Sequence, residues 1–206
     1  MARERARQRY QGVTHARWLR DGRSLLSLQG RRIVRFEADS RECSEFAHGG
    51  FVANADVSPD GRTLVFASGR QLWALPMEGW PEAAARPLTE DGSDTLSHGV
   101  PDQITAEEVF DGSAWCWAPD SRRLLVASFD TRAVAPVAIT DGLQGHVEHS
   151  RYSLPGGPVA TWSLALLDPA NGLREELLAP DEAWPYFLGF VPRGDDEIVI
   201  QRLSRD

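Results

Sequence analysis

Two neighbouring carboxylates, Glu107 and Glu108, are the residues whose type and spacing could do chemistry in this chain. They lie in the segment DQITAEEVF, at 102–110, beside apolar residues such as Ile104 and Val109. Adjacent like charges next to apolar side chains are unfavourable unless a cation meets them. Two carboxylates in a partly desolvated cavity would bind such a cation through charge-assisted hydrogen bonds.

A purely structural role is the alternative for the same pair. The residues ITAEEVF could form one or two helical turns, with Thr105 as the capping residue. Glu107 and Glu108 would then fall in the first turn, where the helix dipole favours acidic side chains. Considered without any resemblance to known proteins, the residues favour this structural role.

The rest of the chain predicts a scaffold of repeated β-strands. Each copy of a short pattern joins an apolar or aromatic residue, a turn signal such as Pro-Asp-Gly, and a run rich in Leu, Val and Phe. Short antiparallel strands repeated on this scale indicate the blades of a β-propeller. We therefore expect an all-β fold, a partial β-propeller of about four blades of antiparallel β-meander. The copies lie at 18–30, 57–76 and 117–129, with a weaker one at 190–203.

The N-terminal residues differ from this pattern. Good helix formers without a breaker predict a short helix over 2–10, within a basic arm at 1–12 that precedes the partial propeller at 13–206. Residues 1–35 hold ten Arg against Glu4 and Asp21. This Arg-rich start has no interleaved aromatic residues of the kind that stack on bases. Because the whole chain carries a net charge of −8, we expect no nucleic-acid partner.

Composition also limits location and partners. With 206 residues, of which 42% are hydrophobic, the chain can bury one globular core. No apolar run approaches the length of about 20 residues that crosses a bilayer, so no membrane partner is predicted. The charged N-terminus lacks the apolar core of a secretory signal. We expect a cytoplasmic protein, or a chain that begins inside a longer one.

Neither a cofactor nor a metal is predicted. Cys43 and Cys116 lie far apart and lack the CxxC spacing of zinc sites or redox motifs. His146 and His149 flank Glu148 in HVEH, which lacks the helical spacing of an HExxH zinc motif. We expect HVEH to be a solvated loop.

The order of motifs in the second half of the chain resembles that of a known family. DQITAEEVF is followed by WCWAPD at 115–120, LLVASFDTRAV at 124–134 and RYSLPGGP at 151–158. This order resembles the N-terminal β-propeller of the dipeptidyl peptidase IV branch of the prolyl oligopeptidase family. The resemblance covers roughly 57–206 and is strongest between 100 and 160. The chain departs from the family pattern at five positions. Gln103 stands where the family has a Trp, Ala106 where it often has an acidic residue, and Ala118 where it usually has a Ser. Pro158 and Val159 stand where an Asn-containing turn is expected.

The resemblance implies a function for the acidic pair. In the family, a short helical segment carries two glutamates that bind the free α-ammonium of the substrate, and cleavage follows the second residue, commonly Pro or Ala. Carried over by position, these glutamates are Glu107 and Glu108. The hydrolase domain of the family bears a Ser-Asp-His triad, and no G-x-S-x-G nucleophile motif occurs in this sequence. We therefore expect the substrate-gating part of a serine peptidase, inactive alone, whose partners are the hydrolase domain of the parent protein and a peptide with a free N-terminus.

A second interpretation remains open. The chain could be a non-enzymatic β-propeller binding or interaction module, with Glu107 and Glu108 as a helix-start pair. The position of the pair just before the WCWAPD turn favours the peptidase interpretation. Under either one, a partial propeller exposes sheet edges and blade faces, so a homo-oligomer is expected.

Overall fold

The computed structural model describes residues 15–109, 112–140, 142, 145, 147–193 and 197–205. Contacts within the chain divide it into two compact units, the first ending at Leu88 and the second beginning at Thr89. The predicted helix over 2–10 and the basic arm at 1–12 lie outside the described residues.

The first unit contains two four-stranded antiparallel meanders, in which each strand pairs with the next along the chain. Its core consists of alternate Leu, Ile, Val and Phe side chains, among them Leu28, Ile33, Leu64 and Phe66, each at most 1% exposed. The first sheet comprises β1 (His15–Trp18), β2 (Ser24–Gln29), β3 (Arg32–Glu37) and β4 (Cys43–Ala47), and the second comprises β5 (Val52–Val57), β6 (Thr63–Ser68), β7 (Gln71–Pro76) and β8 (Arg86–Pro87).

The second unit contains one larger sheet and two hairpins. Its strands are β9 (Leu96–His98), β10 (Trp115–Trp117), β11 (Leu124–Asp130), β12 (Pro136–Thr140), β13 (Val147–Arg151), β14 (Thr161–Leu167), β15 (Arg174–Leu178), β16 (Tyr186–Arg193) and β17 (Glu197–Leu203). The large sheet has the order β10-β11-β14-β15, and β9 also pairs with β11. The hairpins are β12–β13 and β16–β17. Phe129, Trp162, Leu164 and Phe187 form the centre of the core of this unit.

The repeated turn motif folds in the same way in three copies. In each copy the amide of the residue before the turn donates a 2.8 Å hydrogen bond to the carbonyl five residues later: Leu19 to Ser24, Ser58 to Thr63, and Ala118 to Arg123. The residue three positions after that donor has a positive φ in each copy: 65° at Gly22, 77° at Gly61 and 61° at Ser121. In three copies the turn therefore leads into the next strand, as predicted, and the structure places that strand inside its sheet.

The prediction of an all-β chain is confirmed. Among the described residues helical structure is confined to one short segment, in which Gln103 and Ile104 lead into a π-helical turn, Thr105–Val109. The described helical residues include no helix long and apolar enough to cross a membrane. The expected loop at HVEH is wrong for residues 147–149, which belong to β13 and pair with β12, whereas His146 lies outside the described residues. Ladder pairing with β12 satisfies the backbone of this segment, and a local composition pattern does not reveal such a partner.

Candidate functional site

The acidic pair lies on the π-helical turn Thr105–Val109, between β9 and β10; we call this element the acidic turn. A short helical element was predicted here and is present. The predicted capping role of Thr105 is wrong, because Gln103 and Ile104 are already helical and the buried Thr105 lies inside the helical segment. The first helical hydrogen bond runs from the amide of Ala106 to the carbonyl of Asp102, at 2.9 Å. Asp102 therefore holds the place before the helix where a cap belongs.

Both carboxylates of the pair are exposed to solvent. Glu107 Oε1 accepts a long hydrogen bond, 3.5 Å, from Gln103 Nε2. Within the part of the chain that the structure describes, neither Glu107 nor Glu108 forms an ion pair. The partly desolvated surroundings expected from the apolar neighbours are not present around these two side chains. Two adjacent negative charges are thus open to a cationic ligand.

The chain on both sides fixes the position of the acidic turn. The turn lies against β16. Upstream, β9 pairs with β11, and the amide of Gly99 continues this pairing with a 2.9 Å hydrogen bond to the carbonyl of Ala127. Ser97 Oγ donates to the carbonyl of Val100 at 2.7 Å. The acidic turn is therefore attached to the large sheet rather than placed on a free loop.

His98 anchors the upstream strand. The imidazole is fully buried, and its Nδ1 lies 2.8 Å from Ser128 Oγ on β11. Its Nε2 lies 2.9 Å from Asp91 Oδ1, outside the angular range of a good hydrogen bond. Arg174 Nη2 donates to the same Ser128 hydroxyl at 3.3 Å. Burial lowers the pKa of His98, and the nearby Asp91 carboxylate partly opposes this effect.

These residues include a Ser, a His and an Asp within contact distance, but they are not arranged for catalysis. Ser128 is 3% exposed and His98 is fully buried, so no substrate reaches the hydroxyl. The cluster instead holds β9 on β11 and, through β9, the acidic turn. His98 was not predicted from the sequence, since a lone His before a Gly carries no recognisable motif.

A second set of contacts joins the acidic turn to the β12–β13 hairpin. Ser150 Oγ on β13 donates to Gln103 Oε1 at 2.7 Å. The adjacent Arg151 donates from Nη1 to the carbonyls of Thr131 and Val134, in the turn that precedes β12. The sequence analysis identified Gln103 only as a departure from a family pattern. Its partner is 47 residues away in sequence, so the sequence gives no local signal for the contact.

Other parts of the second unit carry cavities that do not include the acidic pair. One, of about 590 Å³, is lined by Pro119, Leu125, Leu177 and Ile200 among others. Another, of about 350 Å³, is lined by Trp162, Asp181 and neighbouring residues. In the described part of the chain no three His, Cys, Asp or Glu side chains are grouped so that they could hold a metal ion.

Comparison with known proteins identifies the family. The sequence model of the family described as "Dipeptidyl peptidase IV (DPP IV) N-terminal region" matches residues 4–206. A protein of Emericella nidulans named "Probable dipeptidyl peptidase 4" is 34% identical over 86 residues, which are 41% of this chain and 10% of that protein. A protein of the same name from Aspergillus flavus is 33% identical over 121 residues, 58% of this chain and 14% of that protein.

The fold is also similar to that of a solved structure. The crystal structure of Porphyromonas gingivalis dipeptidyl peptidase 4 superimposes with a TM-score of 0.70 over 94% of this chain, at 20% identity. The match includes 27% of that protein's chain, so this chain spans a small part of the relatives that it matches. The likeness supports the predicted partial β-propeller. With the family model matching nearly the whole sequence, the chain belongs to the family of dipeptidyl peptidase IV N-terminal regions.

Proposed function

We propose that this chain is the substrate-gating propeller portion of a dipeptidyl peptidase IV-like serine peptidase that releases N-terminal X-Pro or X-Ala dipeptides. In this proposal Glu107 and Glu108 recognise the free substrate N-terminus. The observation that carries it is the pair itself: two adjacent carboxylates, exposed and without an ion pair among the described residues, on a turn attached to the large sheet. Membership of the family supports a peptidase as the activity of the parent protein.

The recognition step follows from the chemistry of the two groups. An α-ammonium has three N–H donors, and two carboxylates accept from it without needing a proton transfer. Holding this end of the peptide places the bond after the second residue at a fixed distance from the site of attack. An acetylated N-terminus has no charge and one N–H. It therefore leaves the negative charges of both carboxylates without a cationic partner.

The chain supplies binding and not bond cleavage. The hydrolase domain of the parent protein would supply the nucleophile, and its closure over the pair would exclude water. Exclusion of water strengthens an ammonium–carboxylate interaction several-fold relative to its strength at an exposed surface. Alone, the chain is expected to bind such peptides weakly and to hydrolyse none.

The proposed partners are a peptide with a free N-terminus, the parent hydrolase domain and a second copy of the chain, in a cytoplasmic protein. We propose no nucleic-acid, membrane, metal or cofactor partner. The second candidate is a non-enzymatic interaction module. The exposure of Glu107 and Glu108 is equally consistent with this second candidate, because helix-start acids without a ligand would also project into water.

Kinetics of the complete gene product test the proposal. Glu107→Gln and Glu108→Gln should each lower kcat/KM for a free-amine X-Pro substrate by at least about tenfold, because each removes one charged acceptor. Glu175→Gln is the matched control, since Glu175 is an exposed carboxylate on β15. Equal kcat/KM in all three variants and the unmodified protein would reject the recognition role. A gene product with no dipeptidyl peptidase activity would favour the interaction module.

A further inference from the structure

We propose that Gln103 is a positioning residue for Glu107, and that Ser150 on the β12–β13 hairpin sets the orientation of its amide. This inference rests on the proposed function of the acidic pair and assigns it a further residue. The contacts form a series of two hydrogen bonds: the Ser150 hydroxyl donates to Gln103 Oε1 at 2.7 Å, and Gln103 Nε2 donates to Glu107 Oε1 at 3.5 Å.

The direction of these two hydrogen bonds follows from the chemistry of the Glu107 carboxylate, at which they end. The Glu107 carboxylate accepts hydrogen bonds and donates none, so the amide must present its NH₂ group to it. The opposite amide orientation would bring Gln103 Oε1 against a negative charge. With NH₂ towards Glu107, the amide oxygen faces Ser150, and the hydroxyl is the group that donates there.

Ser150, the first donor of the two hydrogen bonds, is held in place by the β12–β13 hairpin. Ser150 pairs with Val137 in the β12–β13 ladder. Beside it, Arg151 donates to the carbonyls of Thr131 and Val134 and so attaches the base of the hairpin to the turn after β11. Because the Ser150 hydroxyl is fixed and its bond to Gln103 is short, the amide is held more firmly on this side than on the Glu107 side.

The contact distinguishes the two carboxylates. Gln103 lies one helical turn before Glu107, at i, i+4, and reaches one oxygen of that side chain. Among the described residues, no other hydrogen bond or ion pair engages the second oxygen of Glu107 or either oxygen of Glu108. A carboxylate that is already oriented loses less side-chain entropy when it binds an ammonium, so Gln103 should contribute to affinity without touching the substrate.

A ligand-free measurement tests the contact. The side-chain NH₂ signals of Gln103 in an NMR spectrum of this chain should shift in Ser150→Ala and in Glu107→Ala, and should stay in place in Glu108→Ala. Ser150→Thr keeps the hydroxyl and should restore the signals of the unmodified chain. If Glu107→Ala leaves the Gln103 signals unchanged, the contact is absent and the inference is overturned.

A kinetic measurement on the complete gene product tests the positioning role. Gln103→Leu should raise KM for a free-amine X-Pro substrate about fivefold with little change in kcat, and Ser150→Ala should act in the same direction. Ser150→Thr should restore KM, and Gln29→Leu, at a glutamine of the first unit, controls for loss of an amide. Unchanged KM in Gln103→Leu, while Glu107→Gln is impaired, would overturn this inference alone. Unchanged KM in Gln103→Leu together with unchanged kcat/KM in Glu107→Gln would overturn the proposed function as well.

Discussion

The fully buried ring of His98 holds Ser128 through Nδ1 at 2.8 Å, and this contact fixes β9 on β11 nine residues before Glu107. Because burial lowers the pKa of His98, this imidazole binds a proton less readily in the folded chain than in the unfolded chain. The free energy of unfolding should therefore fall as the pH drops below about 6.5, the usual His pKa, and continue to fall down to the pKa of the folded state.

The size of this pH effect can be bounded and measured. One proton corresponds to at most about 1.4 kcal/mol per pH unit. Hydrogen exchange of the β11 amides at pH 7.5, 6.5 and 5.5 should show protection falling in the unmodified chain and falling less steeply in His98→Asn. Asn keeps a polar group near Ser128 but does not titrate. His48, whose pKa burial also lowers, is unchanged in both proteins and cancels in the comparison. Parallel pH profiles would show that His98 carries no such effect.

A substitution in the turn at Ser121 should stabilise the folded chain. Its φ of 61° is one that glycine adopts freely, and the corresponding residues of the other two turns are Gly22 and Gly61. Ser121→Gly should stabilise the chain by roughly 0.5–1 kcal/mol, because relief of backbone strain exceeds the added freedom of the unfolded glycine.

Thermal denaturation measures this change. Ser121→Gly should raise Tm by about 2–4 °C for each kcal/mol gained, and the reciprocal Gly61→Ser should lower it. A lower Tm for Ser121→Gly would mean that the serine side chain stabilises the turn in some way that the backbone geometry does not reveal.

The outer face of β17 should mediate self-association. Val199 and Leu203 are 42% and 50% exposed there, and Leu177 on β15 is 44% exposed. Among the described strands, β17 pairs with β16 alone. An open strand edge beside exposed apolar side chains favours pairing with another chain.

Sedimentation velocity of the 206-residue chain at about 50 μM tests this expectation in the concentration range where weak dimers form. The unmodified chain should sediment as a dimer or larger species, and the double substitution Val199→Glu, Leu203→Glu should shift it towards monomer. Glu182→Gln, an exposed change outside β17, is the control. A monomeric unmodified chain would exclude self-association at this concentration.

The sequence predicted the all-β fold because its signals are local. Pro-Asp-Gly at 59–61 and Leu-Pro-Gly-Gly at 154–157 mark turns through the backbone preferences of Pro and Gly, and both are turns in the structure. The acidic pair was also found from sequence, since two adjacent acids in an apolar segment stand out.

The contacts that position the pair could not be predicted in this way. His98 meets Ser128 across 30 residues, and Ser150 meets Gln103 across 47. Such contacts depend on strand pairing and on the path of the hairpin, and no local pattern encodes them. The exposure of Glu107 and Glu108 was missed for the same reason, because apolar neighbours along the chain do not determine what packs around a side chain.

Recognition of a free N-terminus by Glu107 and Glu108 is tested most directly by NMR titration of this chain with an Ala-Pro peptide and with its N-acetylated form. The side-chain carboxylate signals of both glutamates should move with millimolar free-amine peptide, as expected for exposed charge pairs, and should not move with the acetylated peptide. In the double variant Glu107→Gln, Glu108→Gln, the backbone signals of the acidic turn should shift equally with the two peptides. Equal shifts with both peptides, or none with either up to tens of millimolar, would contradict the account.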